Sequence, residues 1–508
     1  MKRTSLLAFA ALAAIAPTAG QAIPFPSAIR IASTAPAVGA GSNITYVLNQ
    51  AAATATVEIR DSGNAIVATF PGTTAAGTNT VAWNGTVDNA AGAAVPVGTG
   101  YRVRVAVTGT EAAGWVRYKA NGSSTSSPIM GDQDVAADWW PKGLAVNNDP
   151  DSDFFGSVMV GFGYNVTQPA AAVIEFTADL EVKAGDNGLA SRRMKHPGDD
   201  AAAPAPSSYT VWGLSWDPAN SNRLWYTGQA TGNGNGGAKE YFKGEGVGGV
   251  LPEFATDADA TNVVTNGLSP RGIKIQQVGA TRYAFITRSN AIIQVVALDA
   301  SNNFATNIGS IISATGWTST NIRYSKDVRF DAAGNMYWGS QRIATVAGTE
   351  NGKIYRWDAA QVAAAIADPV ANVLTEANAT WKITNDFAAV NQRIAGFAIN
   401  AAGDVYVFSP AQGMFLVGNT STATLTVGLN SLTPVLINTD FRPTVGNINA
   451  GTSDFWFDAA GNLVCCDGSS ENVFAFSPGG ASSTAFTAPS SQTFNVVVAS
   501  SVPDWMMY

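Results

Sequence analysis

A five-residue pattern, first met as Gly143-Leu144-Ala145-Val146-Asn147, returns five more times along the chain. The later copies begin at Gly213 (Gly-Leu-Ser-Trp-Asp), Gly272 (Gly-Ile-Lys-Ile-Gln), Asp327 (Asp-Val-Arg-Phe-Asp), Gly396 (Gly-Phe-Ala-Ile-Asn) and Asp454 (Asp-Phe-Trp-Phe-Asp). They start 70, 59, 55, 69 and 58 residues apart. Each is short and β-prone, and each is followed by a Gly- or Asn-bearing turn and a second strand. The clearest of these are Ala332-Ala333-Gly334-Asn335-Met336-Tyr337-Trp338, Ala401-Ala402-Gly403-Asp404-Val405-Tyr406-Val407 and Ala459-Ala460-Gly461-Asn462-Leu463-Val464. A third strand recurs at Val173–Phe176, Ile292–Val295, Lys353–Trp357 and Asn472–Phe476. A unit of this size cannot bury both faces of its own sheet, so it must stack on its neighbours. Six units with three visible strands and a weaker fourth predict a six-bladed β-propeller. The ring needs a closing strand, and Phe494-Asn495-Val496-Val497-Val498 is expected to complete the first blade. One helix interrupts the pattern, opened by Asp358 with Gln361 at the capping-box position and followed by Pro369. It is expected in the loop between blades four and five.

With Gly, apolar residues, Asp or Asn, then Gly-Asn and a second strand in that order, the repeat resembles the NHL family of propeller repeats over most of residues 139–480. The stretch Gly143–Val160, with its insert Asn148–Gly156, resembles the first blades of exported bacterial NHL-type proteins. In that family the residue just before each innermost strand lies near one mouth of the central channel. The resemblance therefore implies a ring made of Lys142, Trp212, Arg271, Lys326, Ala395 and Ser453. The equivalent place after the second strand is held by Arg288 in blade three and Asp467 in blade six.

Ahead of the repeats the chain reads as a small β-sandwich. Tyr101, Val103, Val105 and Val107 face one way while Arg102 and Arg104 face the other. Turn clusters stand at Asp61-Ser62-Gly63-Asn64, Pro71-Gly72 and Asn84-Gly85. Val57–Asn64, Val81-Ala82-Trp83-Asn84-Gly85, Gly92–Pro96 and Gly100-Tyr101-Arg102-Val103 follow in the order seen in the Ig-like domain of the flagellar hook-capping protein family. The resemblance implies a fold and not a flagellar activity. The fold class is thus all-β, an N-terminal Ig-like β-sandwich followed by a six-bladed β-propeller. The expected division is a signal peptide at 1–22, the sandwich at 23–112, a linker at 113–138 and the propeller at 139–508. With its own alternating core, the sandwich is expected to fold alone.

The leader has Lys2 and Arg3 as a basic start, an apolar run from Ser5 to Ala16, and Gly20-Gln21-Ala22 as a small-x-small cleavage motif. The run falls short of the roughly 20 residues that span a bilayer. Cleavage after Ala22 and export are expected, to the periplasm, the cell surface or the medium, with no transmembrane segment. Removing the leader would move the net charge from −8 to −10 by taking away Lys2 and Arg3.

Composition narrows the function classes. Charged residues are 13% of the chain, against about 25% in ordinary soluble proteins, which suits neither disorder nor coiled coil. Net negative charge makes nucleic acid an unsuitable partner. The chain has one histidine, His196, in the polar run Arg192–His196 ahead of Pro197. This excludes His-rich metal sites and makes any Ser-His-Asp triad depend on that residue alone. Cys465 and Cys466 are adjacent, and read either as two strand residues facing opposite sides of a sheet or as a vicinal disulfide formed after export. Asp149, Asp151 and Asp153 alternate as in a calcium loop, but Phe154 and Val160 stand where an EF-hand needs Gly and Glu. A solvated turn is the expectation there. The glycine run 232–237 precedes no helix and reads as a loop, not a phosphate cradle.

What remains is the ring. Lys142, Arg271, Lys326 and Arg288 gather cations beside Trp212 in an otherwise acidic chain, with Asp467 as the carboxylate at the rim. Cations and an aromatic wall in a concave site suit a carboxylate or an acidic sugar. Asp327 and Asp454, pairing with these cations as a structural plug, are the competing explanation. The expectation is a non-catalytic exported binding or scaffold protein with no cofactor, its partner an extracellular glycan or protein. The alternative is a propeller hydrolase or lactonase holding calcium in the channel, for which these carboxylates are few against the 6–8 oxygens calcium takes. A quinone-dependent dehydrogenase, suggested by the adjacent cysteines, is disfavoured by the blade number.

Overall fold

In the computed structural model the described residues are 23–109, 115–119, 140–163, 173–181, 209–230, 239–245, 255–256, 270–288, 293–312, 323–343, 351–387, 393–410, 412–437, 440, 453–467, 472–478 and 486–498. The leader 1–22, His196 and the glycine run 232–237 lie outside them.

The sandwich strands are β1 (Pro26–Ile31), β2 (Ser42–Leu48), β3 (Thr54–Arg60), β4 (Ile66–Pro71), β5 (Gly77–Trp83) and β6 (Gly98–Thr108). A short strand, β7 (Val116–Lys119), follows. Blade one is β8 (Trp140–Val146), β9 (Val158–Gly163) and β10 (Val173–Phe176). Blade two is β11 (Tyr209–Asp217), β12 (Asn220–Ala230), β13 (Lys239–Glu245) and β14 (Ala255–Thr256). Blade three is β15 (Pro270–Val278), β16 (Thr281–Arg288), β17 (Ile293–Leu298) and β18 (Phe304–Ser310). Blade four has β19 (Arg323–Phe330), β20 (Met336–Ile343), β21 (Asn351–Trp357) and, after helix α1 (Ala359–Ala367), β22 (Trp381–Thr384). Blade five has β23 (Gly396–Ile399), β24 (Asp404–Ser409) and β25 (Gly413–Asn419). From there β26 (Leu425–Gly428) crosses to pair in parallel with β22, and β27 (Leu436–Ile437) returns to β25. Blade six is β28 (Ser453–Phe457), β29 (Leu463–Asp467) and β30 (Asn472–Ser477), and the chain ends in β31 (Phe486–Val496).

The repeat turn explains why these residues fold this way. Asp331 Oδ1 accepts the amides of Ala333 and Asn335 at 3.0 and 2.9 Å, and Asp458 Oδ1 those of Ala460 and Asn462 at 2.9 and 2.8 Å. The chain then reverses through Gly334 and Gly461 at φ +82° and +86°, a region costly for residues with a Cβ. The next Asn returns its Nδ2 to the same carboxylate at 2.9 Å in blade four and 2.8 Å in blade six. Blade five keeps the pair with its order reversed, Asn400 Nδ2 donating to Asp404 Oδ2 at 3.1 Å.

Each neighbouring pair of blades shares an apolar core. Trp225 of blade two packs with Ile273 and Ile286 of blade three, and Phe285 of blade three with Val328 and Trp338 of blade four. Tyr337 of blade four meets Phe397 and Val407, and Phe408 of blade five lies 3.6 Å from Phe455 of blade six, ring centre to ring centre. Leu144 and Val160 of blade one join Val464 and Val473 of blade six, while Met159 of blade one joins Leu224 of blade two. Six junctions, including sixth to first, make the ring closed.

Three expectations are corrected. The last strand does not complete blade one: β31 pairs antiparallel with β6, Phe494 opposite Tyr101, in a sheet ordered β31-β6-β3-β4 that faces the β1-β2-β5 sheet. The ring is closed instead from the segment read as a linker, where β7 pairs with β30 as the fourth strand of blade six, Arg117 opposite Phe476. Both strands are apolar and β-prone, and sequence pattern alone does not say which sheet edge each one meets. Helix α1 lies inside blade four, between its third and fourth strands, because β22 is only four residues long and leaves little pattern. It opens as expected, with Gln361 Oε1 accepting the Asp358 amide at 2.9 Å.

The sandwich core is Ile44, Tyr46, Val57, Ile59, Trp83, Val103 and Val105 with Ala488, Phe494 and Val496 of β31, and it continues into blade one through Phe155 and Ala178. The isolated 23–112 segment, expected to fold alone, therefore lacks the part of this core that β31 and blade one supply. We predict a poorly dispersed NMR spectrum for residues 23–112 and a dispersed one when residues 484–498 are fused to them. Phe494→Ala should cost about 3–5 kcal/mol, read by chemical denaturation of the full chain. A well-dispersed spectrum from 23–112 alone would contradict this account.

Candidate functional site

The inner strands of neighbouring blades approach closely. A Cβ on Gly213 would lie 2.4 Å from Gly272 Cα, and one on Gly143 2.4 Å from the Trp212 carbonyl oxygen. Glycine opens four of the six copies, and at Gly143 and Gly213 it is required by backbone contact between neighbouring blades, which brings the preceding side chains together.

Those side chains are Lys142, Trp212 and Arg271. Arg271 stacks on the Trp212 ring at 3.6 Å from its centre, and Lys142 Nζ lies 5.1 Å from it. Lys142 is buried, while Trp212 and Arg271 are half-buried. Cation–π contacts of this kind are worth about 0.5–2 kcal/mol, more as they are desolvated. Blades one, two and three each contribute one residue, as the repeat alignment implies.

The other expected ring residues are placed as follows. Ala395 is buried in the core between blades five and six. Arg288, 4% exposed, donates to Gln294 in its own blade, and Gln294 Nε2 donates to Asn307 Oδ1 at 3.1 Å. Lys326 and Ser453 lie on β19 and β28, and Asp467 on β29 opposite Ser453, with their side chains outside the described residues. Cys465 and Cys466 are buried on opposite sides of β29, Cys465 in the core shared with blade five and Cys466 in the core shared with blade one. The two side chains face opposite sides of the strand, as the strand reading expects.

A second constellation is one the sequence reading does not include. Lys274 Nζ is 4.0 Å and the Arg329 guanidinium 4.1 Å from the Trp456 ring centre. Residues of blades three, four and six can meet only across the axis. Asp454 fastens them: its Oδ1 accepts Arg329 Nη2 at 3.0 Å and its Oδ2 accepts the Leu144 amide of blade one at 2.9 Å. Arg329 also donates to the Phe455 carbonyl at 2.9 Å. Asp454 thus takes part in a structural plug, as the competing explanation held, but with Arg329. The signal was available in the third position of the same repeat, which reads Ala145, Ser215, Lys274, Arg329, Ala398 and Trp456. Three small residues leave the room that a tryptophan and two cations fill. The indole Nε1 groups of Trp212 and Trp456 are buried and meet no acceptor among the described residues.

The acidic loop after blade one's inner strand serves as a joint. Asp149 Oδ1 accepts the Asp151 amide at 3.0 Å, Asp151 pairs with Arg102 of the sandwich at 3.0 Å, and Asp153 Oδ1 accepts from Ser491 of β31 at 2.7 Å.

Against known proteins, residues 33–111 match the FlgD Ig-like domain family. No curated protein matches the chain. Similar solved structures include a protein of unknown function from Bacteroides thetaiotaomicron, 10% identical, covering 88% of this chain and 98% of that one with a TM-score of 0.38. The soluble aldose sugar dehydrogenase of Escherichia coli is 12% identical, with 67% and 96% covered and a TM-score of 0.38. PorZ, a surface component of the type-IX secretion system of Porphyromonas gingivalis, is 12% identical, with 88% and 57% covered and a TM-score of 0.35. No helix among the described residues is long and apolar enough to cross a membrane.

Asp454→Ala leaves Arg329, whose side chain is 7% exposed, buried without its carboxylate. The expected loss is about 3 kcal/mol of stability in urea unfolding. An Asp454→Ala protein as stable as the parent would show that the pair does not hold the blades.

Proposed function

We propose that the protein is exported and acts as a non-catalytic binding or scaffold protein, its channel mouth taking an anionic saccharide or a small carboxylate. The observation that carries this is the convergence of Lys142 and Arg271 on the Trp212 ring from three blades in a chain of net charge −8. A bound carboxylate would accept from Lys142 and Arg271, and a sugar ring would lie against the indole. The buried Trp212 Nε1 adds a donor that meets no acceptor among the described residues. The order of the repeat supports an NHL-type propeller, and the leader supports export with cleavage after Ala22.

The metal-dependent hydrolase is the weaker reading, since Asp454, a carboxylate such a site would use, is committed to Arg329 and the Leu144 amide. Near-stoichiometric calcium in the purified protein would revive it.

Calorimetric titration with uronic acids and small carboxylates tests the binding reading. Arg271→Ala should weaken binding by about 1.5–3 kcal/mol, the worth of a charged hydrogen bond, with little change in folding. No binding by the parent, or equal binding by both proteins, would leave the mouth as plain structure.

A further inference from the structure

Ile23 is the residue that cleavage after Ala22 would place first, and it is held in a way an ordinary amide does not need. Its nitrogen faces two acceptors, Asn462 Oδ1 at 3.3 Å and Ser477 Oγ at 3.1 Å. An amide has one hydrogen to share between them, whereas an α-ammonium has three. Its carbonyl accepts from Asn462 Nδ2 at 3.0 Å and from Asn49 Nδ2 of the sandwich at 3.1 Å. Phe25 follows, its amide donating to Asn49 Oδ1 at 2.8 Å and its ring lying in the sandwich core. Residues 23–25 thus stitch the sandwich to blade six.

The acceptors are built into the core and not offered by the surface. Asn462 is 0% and Ser477 1% exposed. Asn462 is the turn asparagine of the repeat, and its counterpart in blade four shows what that side chain does. There Asn335 Oδ1 accepts the amide of Ala359, the first residue of α1, at 3.0 Å. In blade six the same atom takes the nitrogen of Ile23. Behind Asn462 stands Asp458, 4% exposed, whose Oδ2 accepts from Asn462 Nδ2 at 2.8 Å. Burial pushes its carboxyl up to about 7, and a positive charge two hydrogen bonds away, through the Asn462 amide, would favour its ionised form.

We infer that Asn462 and Ser477 form a socket for the α-ammonium that leader cleavage creates, so that processing, and not folding alone, locks the sandwich onto the propeller. The inference rests on the export reading. It adds to it that the new terminus is a structural group with its own binding site. The uncleaved chain can place the Ile23 amide there but leaves one acceptor short of a hydrogen and Asp458 without a nearby cation from this segment.

The test compares three forms of the chain that differ only at the start: residues 23–508 with a native amine, the same chain Nα-acetylated, and residues 22–508. The native form should melt at least about 2 °C above the other two. Its α-amine should react with an acetylating reagent about tenfold more slowly than that of a short Ile-Pro-Phe peptide, and Ser477→Ala should speed that reaction. Equal melting of all three forms with peptide-like reactivity would overturn the socket. N-terminal sequencing of the exported protein is read separately. A start at Ile23 supports the proposal, and any other start overturns the cleavage reading and the proposal with it.

Discussion

Everything in the propeller depends on one constraint: no blade can cover its own faces. Each sheet buries one face against the blade before it and the other against the blade after it, so the apolar cores exist only as junctions. A ring of six needs the sixth junction as much as the first five. Here that junction is supplied by Leu144, Val160 and Phe176 on one side and Val464, Cys466 and Val473 on the other. Blade six also needs a fourth strand to cover β30, and β7 provides it from the N-terminal side of the ring. Trp115, just ahead of β7, packs on Tyr406 and Phe457 and anchors that strand over the junction of blades five and six. The C-terminal strand is then left over for the sandwich, where Phe494 packs between Trp83 and Tyr101.

The chain therefore leaves the sandwich, closes the ring, builds it, and returns to the sandwich with its final strand. The joint between the two parts is made of the same kinds of contact as their interiors. Phe155 and Ala178 of blade one lie in the sandwich core, and Ala459 and Ala460 of blade six pack against it. Around this apolar patch stand Arg102 with Asp151, and Arg30 donating to the Asp153 carbonyl at 2.8 Å.

Much of this was legible in the sequence where a local rule sets the structure. The alternation Tyr101-Arg102-Val103-Arg104-Val105 gave the inward face of β6, and the burial of Tyr101, Val103 and Val105 agrees with it. The Asp331 and Asp458 turns followed from Gly334 and Gly461, because a left-handed residue and an Asx turn are properties of four or five neighbouring residues. The meeting of Lys142, Trp212 and Arg271 followed from equivalence between repeats. What stayed hidden was long-range pairing. Whether an apolar strand such as 494–498 meets blade one or the sandwich depends on which edge is unpaired after all the others have formed, and no local pattern carries that. The plug of Lys274, Arg329 and Trp456 was missed for a different reason. The same alignment held it, three residues further along, but side chains that meet across an axis compensate for one another in size, and this shows only when all six positions are read as one ring.

The pairing of β7 with β30 is the most exposed contact, since it decides which strand completes blade six and leaves the final strand to the sandwich. Native-state hydrogen exchange of the amides in Val116–Lys119 measures it directly. These amides are expected to be protected and to open together with those of Asn472–Ser477. Exchange of the 116–119 amides at the rate of an unstructured peptide, with 472–477 still protected, would contradict it.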